Sequence, residues 1–229
     1  MIMFAEKIKL NHYSNYKIGG PAGYFFEAKN VKDIVGAVQK WRSLKGKDIF
    51  ILGGGTNLLI DDKGFDGLVI KPSLDTLVQD GETVRVGAGV LMSDLLSFAS
   101  RNGLAGLEWA GGLPGTVGGA IRGNAGAFGS ETKDSVIEVA SVDIYSKDIK
   151  LVKRNNKECK FGYRDSWFKK NDGQEVIVEA VFDFQEGEPV AIAQAIMEKI
   201  NYRKTRHPME YPNIGSIFKN VDLKAFPKK

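Results

Sequence analysis

The chain has 229 residues, 43% of them hydrophobic and 26% charged, with a formal net charge of +4. That is enough apolar material for one large domain or two small ones, and the mild charge, with no run of lysine or arginine, gives no support to a nucleic-acid binder. One cysteine, Cys159, excludes an internal disulfide and a cysteine-based metal cluster, and His12 and His207 are too few and too far apart for a histidine-rich metal site.

In the segment before Leu10, Glu6, Lys7 and Lys9 interrupt the apolar residues, so it lacks the core of a secretory signal. No apolar run reaches the length of a membrane span. The expected location is the cytoplasm and the default state a monomer. Asn30 to Leu44 carries a helix pattern, with Asn30 as cap, Asp33 in the first turn, and Ile34, Val35, Val38 and Trp41 on one face. Asp48–Leu52 is a short buried strand that runs into Gly53-Gly54-Gly55; Gly67–Lys71 and Thr83–Val86 are two more. Met92–Asn102 is a second helix, closed by Gly103 as a left-handed cap. Gly111–Gly129 is a glycine-rich stretch with little periodicity, expected as a packed loop. Val136–Tyr145 and Val176–Phe184 alternate as strands. Val190–Tyr202 returns to helical spacing behind Pro189. From Tyr202 the composition turns to basic residues and prolines, which marks a linker into a new unit. Mixed strands and helices without a repeat indicate an α+β fold. Cys159 is expected as a small, partly buried filler.

The 27 glycines are clustered, and clustered glycine marks backbone in unusual conformations. In Ile51-Leu52-Gly53-Gly54-Gly55-Thr56-Asn57 a buried strand feeds a loop of bare backbone, a hydroxyl and an amide. Successive N–H groups there can converge on a phosphate; a tight turn between strands fits the same residues. It is neither a P-loop, since no Gly-Lys-Ser/Thr follows, nor a dinucleotide fingerprint, since an apolar run follows in place of a helix. The second cluster, Gly111-Gly112-Leu113-Pro114-Gly115-Thr116-Val117-Gly118-Gly119-Ala120, continues into Asn124-Ala125-Gly126-Ala127-Phe128-Gly129. So many small residues build a poor core but suit a flat, extended ligand lying against backbone. Leu113, Val117 and Ile121 keep such a loop ordered.

These motifs resemble those of the UDP-N-acetylenolpyruvoylglucosamine reductase family. Asn15-Tyr16-Lys17-Ile18-Gly19-Gly20-Pro21-Ala22 is similar to its N-terminal signature, Tyr163-Arg164-Asp165-Ser166 to its Tyr-Arg-x-Ser motif, and Gly215-Ser216-Ile217-Phe218-Lys219-Asn220 to its Gly-Ser-x-Phe-Lys-Asn motif. All run in the expected order over nearly the whole chain. The resemblance implies a two-part FAD-binding domain of the vanillyl-alcohol-oxidase-like (PCMH) type, with residues 1–71 and 72–202 as subdomains and 203–229 as the start of a substrate-binding domain. It implies noncovalent FAD, NADPH as electron donor, and reduction of UDP-N-acetylglucosamine enolpyruvate to UDP-N-acetylmuramate (UDP-N-acetylmuramate dehydrogenase activity). That reaction serves peptidoglycan synthesis, and with it cell shape and division.

The roles it implies are residue by residue. Gly53, Gly54, Gly55, Thr56 and Asn57, with Pro114, Gly115, Thr116, Gly118, Gly119, Asn124, Ala125 and Gly126, hold FAD through backbone donors. Arg164 braces the substrate carboxylate, a planar fork that stays charged, and Ser216 delivers a proton. Tyr163, Lys219 and Asn220 contact the UDP-sugar; no metal is involved. The family's third domain ends in a glutamate that completes its active site, and Lys229 follows Ser216 too closely to include it, so the chain is expected to be a fragment lacking full activity. Two rivals remain: another FAD oxidoreductase of the same superfamily, against which neither histidine lies in a glycine loop for covalent attachment, and a non-catalytic flavin- or nucleotide-binding module. Trp167-Phe168-Lys169-Lys170 is too short to support a nucleic-acid surface.

Overall fold

A computed structural model describes residues 2–46, 48–208 and 210–221. The chain begins with β1 (Ala5–Lys9), β2 (Pro21–Ala28), α1 (Val31–Ser43), β3 (Ile49–Ile51) and β4 (Phe65–Pro72). These strands form one sheet in the order β1-β2-β4-β3, with β1 antiparallel to β2 and β4 parallel to both its neighbours. α1 is capped as its sequence requires: the Asn30 side chain accepts from the Asp33 amide at 2.9 Å, and Ile34, Ala37, Val38 and Trp41 are buried. Strand β4 is covered on both faces. Leu68, Val69 and Ile70 are all fully buried, which explains a continuous apolar run in place of alternation.

The rest follows as β5 (Leu77–Asp80), β6 (Thr83–Gly87), α2 (Met92–Arg101), β7 (Leu104–Ala105), α3 (Val117–Gly123), β8 (Gly126–Ala127), β9 (Ser130–Glu131), β10 (Val136–Asp143), β11 (Lys150–Asn155), α4 (Trp167–Lys170), β12 (Glu175–Asp183), β13 (Gln185–Glu186) and α5 (Pro189–Arg206). The second sheet is antiparallel throughout, in the order β11-β10-β12-β6-β5. Its outer core packs Val86, Leu95, Ile121, Phe182 and Ile196 beneath α2, α3 and α5. A second cluster joins the two sheets: Ile34, Val38, Leu68 and Ile70 pack with Ala140, Val142, Val176 and Val178. Arg42 on α1 reinforces that junction, its Nη2 donating to the carbonyls of Ile144, Tyr145 and Ser146 at 2.6, 3.2 and 2.9 Å. The fold is therefore α+β, with a cleft where the sheets meet.

Two expectations are corrected. The glycine-rich stretch 111–129 is not all loop, because residues 117–123 form helix α3. Glycines 118, 119 and 123 are poor helix formers, but Thr116 accepts from the Gly119 amide and the buried Val117, Ala120 and Ile121 anchor the turns. Helix α5 also runs on past Tyr202 to Arg206, carrying basic residues in its last turn where they complement the helix dipole. It stops at His207, whose φ of −115° and ψ of 144° are what a residue before proline adopts.

Candidate functional site

The first glycine loop leaves the sheet after Leu52, whose amide still pairs with the Ile70 carbonyl at 2.9 Å. The next five amides, Gly53 to Asn57, meet no acceptor among the described residues. Gly55 has a φ of +64°, and a Cβ there would lie 1.6 Å from the Tyr13 carbonyl oxygen, so only glycine fits. The second loop presses directly on the first. A Cβ on Gly54 would sit 2.9 Å from the Gly115 Cα, and one on Gly53 would sit 3.1 Å from the Thr116 Oγ1. The loops lie about 60 residues apart in the chain, so this contact exists only in the folded protein.

The amides of the second loop divide into two sets. Those of Gly115 and Thr116 meet no acceptor among the described residues. Those of Gly118, Asn124 and Ala125 are spent on Ala88, Ile121 and Ala120 carbonyls at 2.9, 3.1 and 2.8 Å, and that of Gly119 on Thr116 Oγ1 at 3.4 Å. The amides of these four residues are thus already taken, and of the four Gly118 and Gly119 line the cleft beside the loops. Pro114 and Asn57 are exposed at the rim. Beside the loops lies a narrow cleft of about 70 Å³, walled by Ile51, Pro72, Ala88 and Ile177, floored by Gly53 and Gly118, with the Arg122–Asp172 ion pair (2.7 Å) at its edge. Seven free amides beside an apolar slot suit a ligand with an anionic middle and a flat apolar end.

Arg164 sits on the other flank. It occupies a turn closed by paired backbone bonds between Gly162 and Asp165, and its own φ is +53°, an uncommon conformation for arginine. Several side chains hold that turn. Asn124, fully buried, donates to the Gly162 carbonyl at 2.9 Å and to Glu131 at 3.0 Å, and accepts from the Lys133 amide at 3.1 Å. Ser166 caps α4 and donates to the Arg122 carbonyl at 2.7 Å, and Lys169 donates to the Arg164 carbonyl at 2.9 Å. Beneath α4, Arg154 forks the Glu175 carboxylate and stacks 3.8 Å from the Trp167 ring. The Arg164 guanidinium donates to the Gly126 carbonyl at 2.7 Å and forms no salt bridge among the described residues.

The field here is positive. Burial, then the charges of Lys219, Arg122 and Arg164, hold the Lys169 ammonium below its usual range, against the pull of Asp165. Burial works to raise Glu131, but its bonds to Lys133 and Asn124 and the charge of Arg164 keep it below the usual carboxylate range. Of the residues expected to act together, Tyr163 and Asn220 are joined, the Asn220 amide donating to the Tyr163 hydroxyl at 3.3 Å. Lys219 lies close enough for its charge to act on Lys169 and Asp165. Ser216 is exposed and makes no hydrogen bond to the described residues. Lys169 was not picked out from sequence; the only sign of it is a place three residues after the helix-capping Ser166. Cys159 is fully buried, and burial pushes its thiol up to about 12, which fits a filler and not a nucleophile. Among the described residues no three His, Cys, Asp or Glu side chains gather to hold a metal ion.

Comparison with known proteins fits this geometry. Residues 22–147 match the FAD binding domain family. The chain is 37% identical over 220 residues to the UDP-N-acetylenolpyruvoylglucosamine reductase of Halalkalibacterium halodurans, and 39% identical over 214 residues to UDP-N-acetylenolpyruvoylglucosamine reductase 1 of Bacillus cereus; in both cases the match covers 92% of this chain and 69% of the relative. Among solved structures, UDP-N-acetylenolpyruvylglucosamine reductase from Thermus caldophilus superposes with a TM-score of 0.78 at 27% identity, covering 96% of this chain and 76% of that one. A solvent-stable cholesterol oxidase shares the fold alone, with a TM-score of 0.64 at 15% identity, covering 81% of this chain and 38% of that one. The chain carries an FAD-binding domain and belongs to the UDP-N-acetylenolpyruvoylglucosamine reductase family.

Proposed function

We propose that the chain binds FAD noncovalently where its two glycine loops meet and serves, with NADPH as electron donor, the reduction of UDP-N-acetylglucosamine enolpyruvate to UDP-N-acetylmuramate in the cytoplasm, a reaction that also calls on the glutamate of the family's third domain. The observation that carries this reading is the set of amides on two touching loops that meet no acceptor among the described residues, flanked by an arginine in a strained turn that forms no salt bridge among them. Bound FAD supplies hydride transfer, a chemistry no side chain here possesses.

The residues of the chain do the rest. Amides of Gly53 to Asn57, Gly115 and Thr116 take the diphosphate, where backbone donors cost no side-chain entropy. The cleft beside them takes an apolar ring system, and the glycines at 118 and 119 let it lie close to the backbone. Arg164 forks the substrate carboxylate and offsets the negative charge that spreads into it from the α-carbon, and a fixed charge in a partly dry site is worth most at that point. Ser216 gives the α-carbon its proton; a serine is a weak acid, so Lys219 stabilises the alkoxide left behind. Tyr163 and Asn220 orient the sugar nucleotide. Residues 1–71 and 72–202 act as the two FAD-binding subdomains, and residues 203–229 begin the substrate-binding part.

The test is the visible spectrum of the purified protein, before and after anaerobic NADPH. Flavin bands that bleach, and that return with UDP-N-acetylglucosamine enolpyruvate when the family's glutamate-bearing third domain is also present, are the expected result. Bleaching without return would leave a flavin-binding module with no reductase activity. A protein that takes up no flavin after reconstitution with FAD would refute the reading of the glycine loops.

A further inference from the structure

A second arginine lies across from Arg164. Arg203, on α5, donates from Nε to the Gly111 carbonyl at 2.9 Å. Its Nη2 is buried and has no partner among the described residues. An arginine nitrogen removed from water without an acceptor costs free energy, so its persistence calls for a physical reason.

The surroundings supply one. The β8–β9 hairpin turns through Phe128 and Gly129, with φ of +54° and +88°, as a tight hairpin requires. Its tip, Phe128, rests edge-on against Tyr202 of α5 at 5.2 Å between ring centroids. Arg203 and Lys199 lie over the same Phe128 ring, at 5.6 and 5.1 Å. The root of that hairpin, Gly126, carries the carbonyl that holds Arg164. The two guanidiniums therefore converge on one short hairpin from opposite elements, and neither forms a salt bridge among the described residues. The hairpin's own acid, Glu131, is already committed to Lys133 at 2.8 Å and to Asn124. Burial and the charge of Arg164 both work against the charged form of Arg203, so an anion arriving between them relieves both.

We propose that Arg203 is a second anion-binding arginine of this site, which shares with Arg164 the negative charge of the bound ligand through its unpartnered Nη2. This rests on the functional reading above. Two sources present the same chemistry, a charge delocalised over two acceptor atoms: the pyrimidine edge of the reduced flavin and the substrate carboxylate.

The experiment uses the FAD-loaded protein and its Arg203→Gln and Arg203→Lys variants. It measures the midpoint potential of the bound flavin, and the dissociation constant of UDP-N-acetylglucosamine enolpyruvate for the oxidised protein. Far-UV circular dichroism follows the fold, and Arg203→Lys, which keeps the charge and the aliphatic stem, covers the case in which the glutamine variant fails to fold. If the flavin is the source, the glutamine variant loses about tenfold in its preference for reduced over oxidised flavin, a potential about 30 mV more negative, and the lysine variant recovers part of it. If the carboxylate is the source, the potential holds and substrate binding weakens about tenfold, with the lysine variant again intermediate. Folded variants that match the parent in both measurements would overturn the role of Arg203 and leave the FAD reading intact. A parent protein that binds no FAD would instead overturn the functional reading beneath it.

Discussion

Gly55 and Gly81 form a matched pair that isolates sterics from backbone preference. Their φ values are +64° and +58°, but a Cβ on Gly81 meets nothing within 4 Å whereas one on Gly55 would lie 1.6 Å from the Tyr13 carbonyl oxygen. Alanine in the left-handed region costs about 1–2 kcal/mol, offset by about 0.4–1 kcal/mol from a less flexible unfolded chain. Gly81→Ala is thus expected to lose roughly 1 kcal/mol of stability and no FAD affinity. Gly55→Ala carries the same conformational cost and must also move its loop from 1.6 Å to at least 3.0 Å of Tyr13, a retreat of about 1.4 Å. That distance takes an amide out of hydrogen-bond range of a diphosphate. Losing one or two such charge-assisted bonds, each about 1.5–3 kcal/mol, weakens FAD binding by about 100-fold. Quenching of flavin fluorescence gives the dissociation constant, and urea unfolding of the FAD-free proteins gives the stability. Wild-type FAD affinity in Gly55→Ala, or an equal loss in Gly81→Ala, would refute the argument.

Two further outcomes follow from buried groups. The Arg154–Glu175 pair has side chains only 15% and 5% exposed, so Glu175→Gln strands a buried guanidinium and should cost about 3 kcal/mol in urea unfolding; a loss under about 1 kcal/mol would show that water or Ser141 compensates it. Cys159, pushed up to about 12, keeps its proton in the folded chain where the unfolded chain releases it, so its contribution to stability is present below the ordinary thiol range and is lost as pH rises through that range toward 12. Iodoacetamide at pH 8 should label it only in denaturant, and rapid labelling of the native protein would contradict its burial.

Much of the fold was legible in the sequence because the relevant signals are local. Asn30 capping α1, the apolar face of α2, and Pro189 opening α5 each specify their element within a few residues. The glycine clusters marked unusual backbone for the same reason, since a positive φ at Gly55 or Gly115 is a demand on that residue alone. Strand β2 was missed because both its faces carry apolar residues, Tyr24, Phe26 and Ala28 packing into one cluster and Ala22 and Phe25 into another, which blurs the alternation that marks a strand. Helix α3 was missed because its stability comes from Val117, Ala120 and Ile121 entering a core that its glycine-rich sequence does not announce.

The sequence by itself determined the family and marked the glycine loops and Arg164 as candidates, but it did not single out Lys169 or Arg203. Tertiary structure alone decided which of them act together. Whether an amide in a glycine loop is free or spent depends on carbonyls far away in the chain, such as Ala88 for Gly118. Whether Arg164 has company depends on α5 bringing Arg203 to the same hairpin. Backbone conformation is encoded locally, but hydrogen-bond satisfaction and charge balance are sums over neighbours that exist only after the two sheets have packed.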